Sequence, residues 1–150
     1  MEIVDNKTDL KRVIRYDGFK LEKNNNITLL PIYIDCTYMR CDKFIKLVYD
    51  CYGVYPAIFY EASKTTYTLI FELYNGITLK EFKRLLEGIQ NVFSKYILPS
   101  NIESEFKKPL GKIYSSRYNN ILTKDIIDKL ISYSTKEEQE HKTRQLQYAC

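Results

Sequence analysis

Tyr55-Pro56-Ala57-Ile58-Phe59-Tyr60-Glu61-Ala62 and Thr66-Tyr67-Thr68-Leu69-Ile70-Phe71-Glu72-Leu73-Tyr74, joined by Ser63-Lys64-Thr65, decide the fold. Both runs are rich in β-branched and aromatic residues, which fit a pleated, half-buried surface, and the short polar link between them predicts an antiparallel hairpin. Side chains alternate along a strand, so Tyr67, Leu69, Phe71 and Leu73 share one face and Thr68, Ile70, Glu72 and Tyr74 the other. The first face reads as core and the second as mixed.

Upstream, Asn24-Asn25-Asn26 reads as a turn and Ile27 to Asp35 as a strand, with Pro31 implying an edge position or a bulge. Phe19 to Lys23 is expected to pair with it as a hairpin. From Thr37 the period changes: Cys41, Phe44, Ile45, Val48, Cys51 and Tyr52 recur at helical spacing, and Gly53 is placed to end the helix.

Downstream, Asn75-Gly76 is expected to break the sheet, and Thr78 followed by Glu81 is a capping box opening a long helix. Leu79, Phe82, Leu85, Leu86, Ile89, Phe93 and Tyr96 line its inner face, leaving Lys80, Lys83, Arg84 and Glu87 outward, and Leu98-Pro99-Ser100 stops it. Asn101 to Asn120 is an irregular basic stretch; Thr123 then caps a last helix carrying Ile126, Ile127, Leu130 and Ile131. These elements predict one α+β domain over 1–134. It has a small antiparallel sheet, the hairpin 55–74 plus the strand 27–35, packed against three to four helices. Residues 135–150, with Lys/Glu pairs at i,i+4 spacing, predict a polar helical extension.

A chain of 150 residues suits one core, and no stretch approaches the ~20 apolar residues of a membrane span. The start of the chain mixes acids and bases without an apolar segment, so no secretory signal is readable and a cytosolic protein is expected. Cys36, Cys41, Cys51 and Cys150 form no C-x-x-C pair and are expected as free thiols. Fourteen Tyr, no Trp and abundant Ile, Lys and Asn suit an AT-rich genome, such as that of a large DNA virus or a low-GC microbe.

Catalysis is not expected. General acid–base and nucleophilic chemistry rely most often on histidine, and the single His141 stands among charged residues near the end of the chain. The five glycines never cluster into a phosphate loop, and Asp35, Glu61 and Glu72 have no spacing that demands a metal, so no cofactor or metal is expected. The net charge of +4 is local: residues 76–120 hold eight basic against four acidic residues. Lys107, Lys108, Lys112 and Arg117 are the candidate anion site, with Lys83 and Arg84 expected nearby and Tyr114 and Tyr118 flanking. Several cations converging on a multiply charged phosphate give charge-assisted hydrogen bonds, and arginine adds a bidentate fork. Such a surface attracts nucleic acid phosphates or anionic lipid headgroups, and charge alone does not choose between them.

The order strand, helix, hairpin, helix, basic segment, helix resembles the poxvirus late proteins that act in crescent-membrane formation and bind phosphoinositides. The residues that carry the likeness begin with the helix Phe44 to Tyr52 running into Tyr55-Pro56 and the strand Leu69 to Tyr74. They continue with Phe93-Ser94-Lys95-Tyr96-Ile97, the last helix from Ile121 to Leu130, and Ala149-Cys150, about two-thirds of the chain in all. The resemblance implies a non-enzymatic virion-assembly protein in the cytoplasm of an infected cell, peripheral to membranes. It places the headgroup site on Lys107, Lys108, Lys112 and Arg117, with other viral assembly proteins as further partners. The family's likeness to phox-homology lipid-binding domains does not extend to their arginine, whose place is taken here by Glu72 and Leu73. Two alternatives stand beside this one. One is a single-stranded nucleic-acid-binding protein whose exposed strand aromatics, Tyr67 to Tyr74, stack bases on a split β-α-β sheet. The other is a module that binds a host factor.

Overall fold

The computed structural model describes residues 1–134; the polar extension expected at 135–150, with His141 and Cys150, lies outside the described residues. In chain order the elements are β1 (Glu2–Val4), α1 (Lys7–Val13), β2 (Phe19–Leu21), β3 (Ile27–Asp35), α2 (Cys41–Tyr52), β4 (Ile58–Glu61) and β5 (Thr66–Ile77). They continue with α3 (Leu79–Phe93), a 3-10 turn (Ser94–Tyr96), β6 (Ile97–Leu98), β7 (Ile113–Ser115), β8 (Ile121–Leu122) and α4 (Lys124–Ser132). The architecture is α+β, and β5 is its spine. β3 and β4 pair with β5 antiparallel on either side, β6 extends β3 and β7 extends β4, giving the order β6-β3-β5-β4-β7. β8 joins β5 in parallel at Glu72 and Leu73, beyond the point where β4 ends.

Local signals hold where the chemistry is local. The Thr78 hydroxyl accepts from the Glu81 N–H at 3.1 Å and the Glu81 carboxylate accepts from the Thr78 N–H at 3.1 Å, completing the capping box of α3. Gly53 closes α2 at φ +69°, a conformation that suits glycine. Pro31 sits where β3 has a neighbour on one side only, since β6 reaches no further than Tyr33 and Ile34, so its missing N–H breaks no ladder bond.

Three expectations are corrected. Phe19 to Lys23 does not pair with β3. β2 pairs in parallel with β1 through the crossover helix α1, in a two-stranded sheet of its own. Asn75-Gly76 does not break the sheet: β5 runs on to Ile77, which pairs with Ile27 past a register shift. Gly76 permits this, since a Cβ there would strike the Asn26 side chain. Finally, α3 ends at Phe93 rather than at Leu98, and Ile97-Leu98 become an edge strand.

Residues opposite one another in an antiparallel pair share a face. Leu30 and Ile32 therefore share the Leu69 and Phe71 face, where they line a small void with Phe44, Val48, Ile89 and Leu130 of the three long helices. The second face carries Ile58, Tyr60, Thr68 and Ile70, which are covered, while farther along β5 Glu72 is half-buried and Tyr74 exposed. Leu10 and Ile14 are buried above it, Lys7 of α1 reaches Glu72 at 2.9 Å, and Phe106 stacks on Phe19 and leans on Tyr33. Residues 1–26 and 105–107 thus form a third layer, which closes the sheet from behind.

Candidate functional site

The basic segment is built onto that third layer. Phe106 and Phe19 exchange both backbone hydrogen bonds at 2.8 Å, an antiparallel bridge that Gly18 makes room for: a Cβ at Gly18 would strike the Phe106 carbonyl. The Tyr33 hydroxyl donates to the Glu105 carbonyl at 2.7 Å and accepts from the Lys107 N–H at 3.1 Å. From the next strand but one, the Tyr60 hydroxyl donates to the Lys107 carbonyl at 3.0 Å. Burial pushes both phenols up from their ordinary value, so they stay protonated donors across the physiological range.

Beyond Lys108 the chain crosses the end of β4, where the Leu110 N–H donates to the Glu61 carbonyl at 3.0 Å, and becomes the edge strand β7. Lys107 and Lys108 border a shallow hollow of about 340 Å³ with Met1, Tyr16, Asp17, Gly18, Ala62 and Leu110. Asp17 is held below the usual carboxylate range, first by the Gly18 N–H and then by the Met1 ammonium at 3.4 Å, with Lys108 adding to the effect. Lys112 extends over the ring of Tyr114, 5.1 Å from its centroid, and Tyr114 stacks on Phe59 at 5.0 Å. All four candidate cations are exposed, and among the described residues none lies in an ion pair with a carboxylate.

Their grouping differs from expectation. Lys107 and Lys108 border the hollow at one end of the sheet, on the Tyr33 and Tyr60 face, while Lys112, at the same end, lies on the opposite face with Tyr114 and Phe59. Arg117 lies past the other end of β7, in a turn fixed by Ser116 N–H to the Ala57 carbonyl (3.1 Å) and by the Asn120 side chain to the Ser116 carbonyl (2.7 Å). Arg117 stands five positions beyond Lys112 along this edge, a span of up to roughly 16 Å. Lys83 and Arg84 are not neighbours of the lysines either. Lys83 borders a separate concavity of about 550 Å³, between α3 and Pro99–Ile102, at the end of the sheet where β5 finishes. The reason is the strand β7: sequence distance from 112 to 117 becomes length along an edge instead of a compact loop.

Sequence reading missed the apolar side chains beside the lysines. Leu110 is 62% exposed, Tyr16 82% and Met1 47%, and all three border the same hollow. The signal for Leu110 is visible in retrospect as an aliphatic residue between Pro109 and Gly111, where a turn carries it outward. Of the strand aromatics that the nucleic-acid alternative relies on, Phe71 is buried under the helices, Tyr67 is half-buried and Tyr74 is 46% exposed. Cys36 and Cys41 are free thiols, Cys41 pushed up to about 12 by burial, and Cys51 is disulfide-bonded, contrary to the free thiol expected there.

Among the described residues no helix is long and apolar enough to cross a membrane. Comparison with known proteins finds no matching family model, no matching curated protein and no matching solved structure.

Proposed function

We propose that the protein is a non-enzymatic peripheral membrane protein that binds anionic phospholipid headgroups, phosphoinositides among them, through Lys107, Lys108 and Lys112. The observation that carries this reading is that Lys107, Lys108 and Lys112, none of them in an ion pair among the described residues, project from a segment whose backbone is tied down at Phe106, Lys107 and Leu110. Binding costs less when the ligating segment is already ordered. Each lysine near an anionic surface contributes about 1 kcal/mol, so three give about 3 kcal/mol, a factor of roughly a hundred in partitioning that salt screens. Arg117, past the far end of β7, is a weaker contributor. The resemblance to the poxvirus crescent-membrane proteins extends the reading to a role in virion membrane assembly in the cytoplasm of an infected cell.

The test is flotation with phosphatidylcholine vesicles containing phosphatidylserine or a phosphoinositide. The wild type is expected to float with both and to stay behind with phosphatidylcholine alone. Lys107→Glu/Lys108→Glu is expected to lose flotation while keeping its circular dichroism spectrum and melting temperature. A folded double variant that floats like the wild type rejects the site. An oligonucleotide that binds the wild type and releases it from vesicles redirects the basic edge to nucleic acid.

A further inference from the structure

We infer that Leu110 is a membrane-inserting residue, which enters the acyl boundary of an anionic bilayer while Lys107 and Lys108 beside it hold the headgroups. This rests on the membrane reading above and adds to it an apolar, salt-resistant component. A single exposed leucine is ordinary on a protein surface. This one is set apart by its surroundings: it stands between Lys107-Lys108 and Lys112 in sequence and shares one hollow with two further exposed apolar side chains, Met1 and Tyr16. An apolar tip beside Lys107 and Lys108, with an aromatic at its margin, matches the layering of a bilayer surface, where charge meets headgroups and tyrosine favours the interface. A polyanion without an acyl layer has no use for the leucine.

Backbone chemistry at the tip is compatible with partial entry. Pro109 has no N–H, and the Leu110 N–H is already satisfied by the Glu61 carbonyl, so entry leaves neither with an open donor. Gly111 faces open space and its φ is not in the left-handed region, so a larger residue fits there without strain. The acids in the neighbourhood are Asp17, Glu61 and Glu105. Asp17 is matched by the Met1 ammonium, and the Glu105 carboxylate lies close enough to Tyr33 for its charge to favour the protonated phenol.

The chain contains no tryptophan, so Leu110→Trp places a unique fluorophore at the tip. With phosphatidylcholine vesicles containing phosphatidylserine, its emission is expected to shift to the blue and to be quenched by brominated acyl chains. Leu110→Ser is expected to lower vesicle partitioning about tenfold, a loss that persists at raised salt, and Gly111→Leu to raise it by a similar factor. If the Leu110→Trp protein floats with the vesicles but keeps the emission of a water-exposed indole, insertion is overturned and headgroup binding stands. If Leu110→Ser partitions as the wild type does at every salt concentration, insertion is likewise overturned. If wild type and variants all fail to float, the membrane reading and the insertion fall together.

Discussion

Two tyrosine hydroxyls grip the peptide of Lys107, one at its N–H and one at its carbonyl, and this gives a cation on an irregular segment a fixed position. Tyr60 is fully buried, so replacing it with phenylalanine leaves the Lys107 carbonyl short of a partner in a place with limited access to water. Tyr60→Phe is expected to cost about 1 kcal/mol at neutral pH, read as a lower urea midpoint. The pH dependence has a definite sign. Burial raises the folded-state value of this phenol above its ordinary 10.0, so its contribution is complete below pH 10 and is lost as pH rises through and beyond that value. Wild type and Tyr60→Phe should therefore converge in stability in alkaline solution; a gap that widens above pH 10 contradicts this. Neither hydroxyl contact was legible in the sequence, because 74 residues separate Lys107 from Tyr33 and 47 separate it from Tyr60. The lysines themselves were legible as charges, while the exposure of Leu110 depends on how Pro109 and Gly111 turn the chain.

At the scale of elements, what sequence chemistry revealed is what neighbouring residues decide among themselves. The hairpin β4–β5, the cap at Thr78, the glycine stop at Gly53 and the cap at Thr123 all depend on partners a few residues away, and all are present. The strands β6, β7 and β8 have two or three residues each, too short for any periodicity, and they form only because a longer strand offers an open edge. That is why the sequence groups Arg117 with the lysines: without β7 the segment looks like one loop. The unit β1–α1–β2 was hidden for a related reason, since parallel pairing needs a crossover and α1 is only seven residues long. Its role is testable. Leu10 is fully buried beneath this layer, and Leu10→Ala is expected to destabilise the protein by 2–5 kcal/mol, whereas a loose N-terminal extension would give a change under about 0.5 kcal/mol.

On the scale of the whole molecule, the helices α2, α3 and α4 occupy one face of the sheet and the N-terminal layer the other, so the surfaces left for recognition are the sheet's ends and edges. The basic edge sits where β4 ends and β5 begins, and the apolar concavity along α3 sits at the opposite end of β5. A membrane meeting the first leaves the second facing away from it. Amide hydrogen exchange with and without phosphatidylserine-containing vesicles tests this orientation most directly. The expected result is new protection at residues 16–18 and 107–112, with 79–91 and 116–120 unchanged. Protection centred on α3 or on the Arg117 turn, with 107–112 exchanging as fast as in free protein, would contradict it.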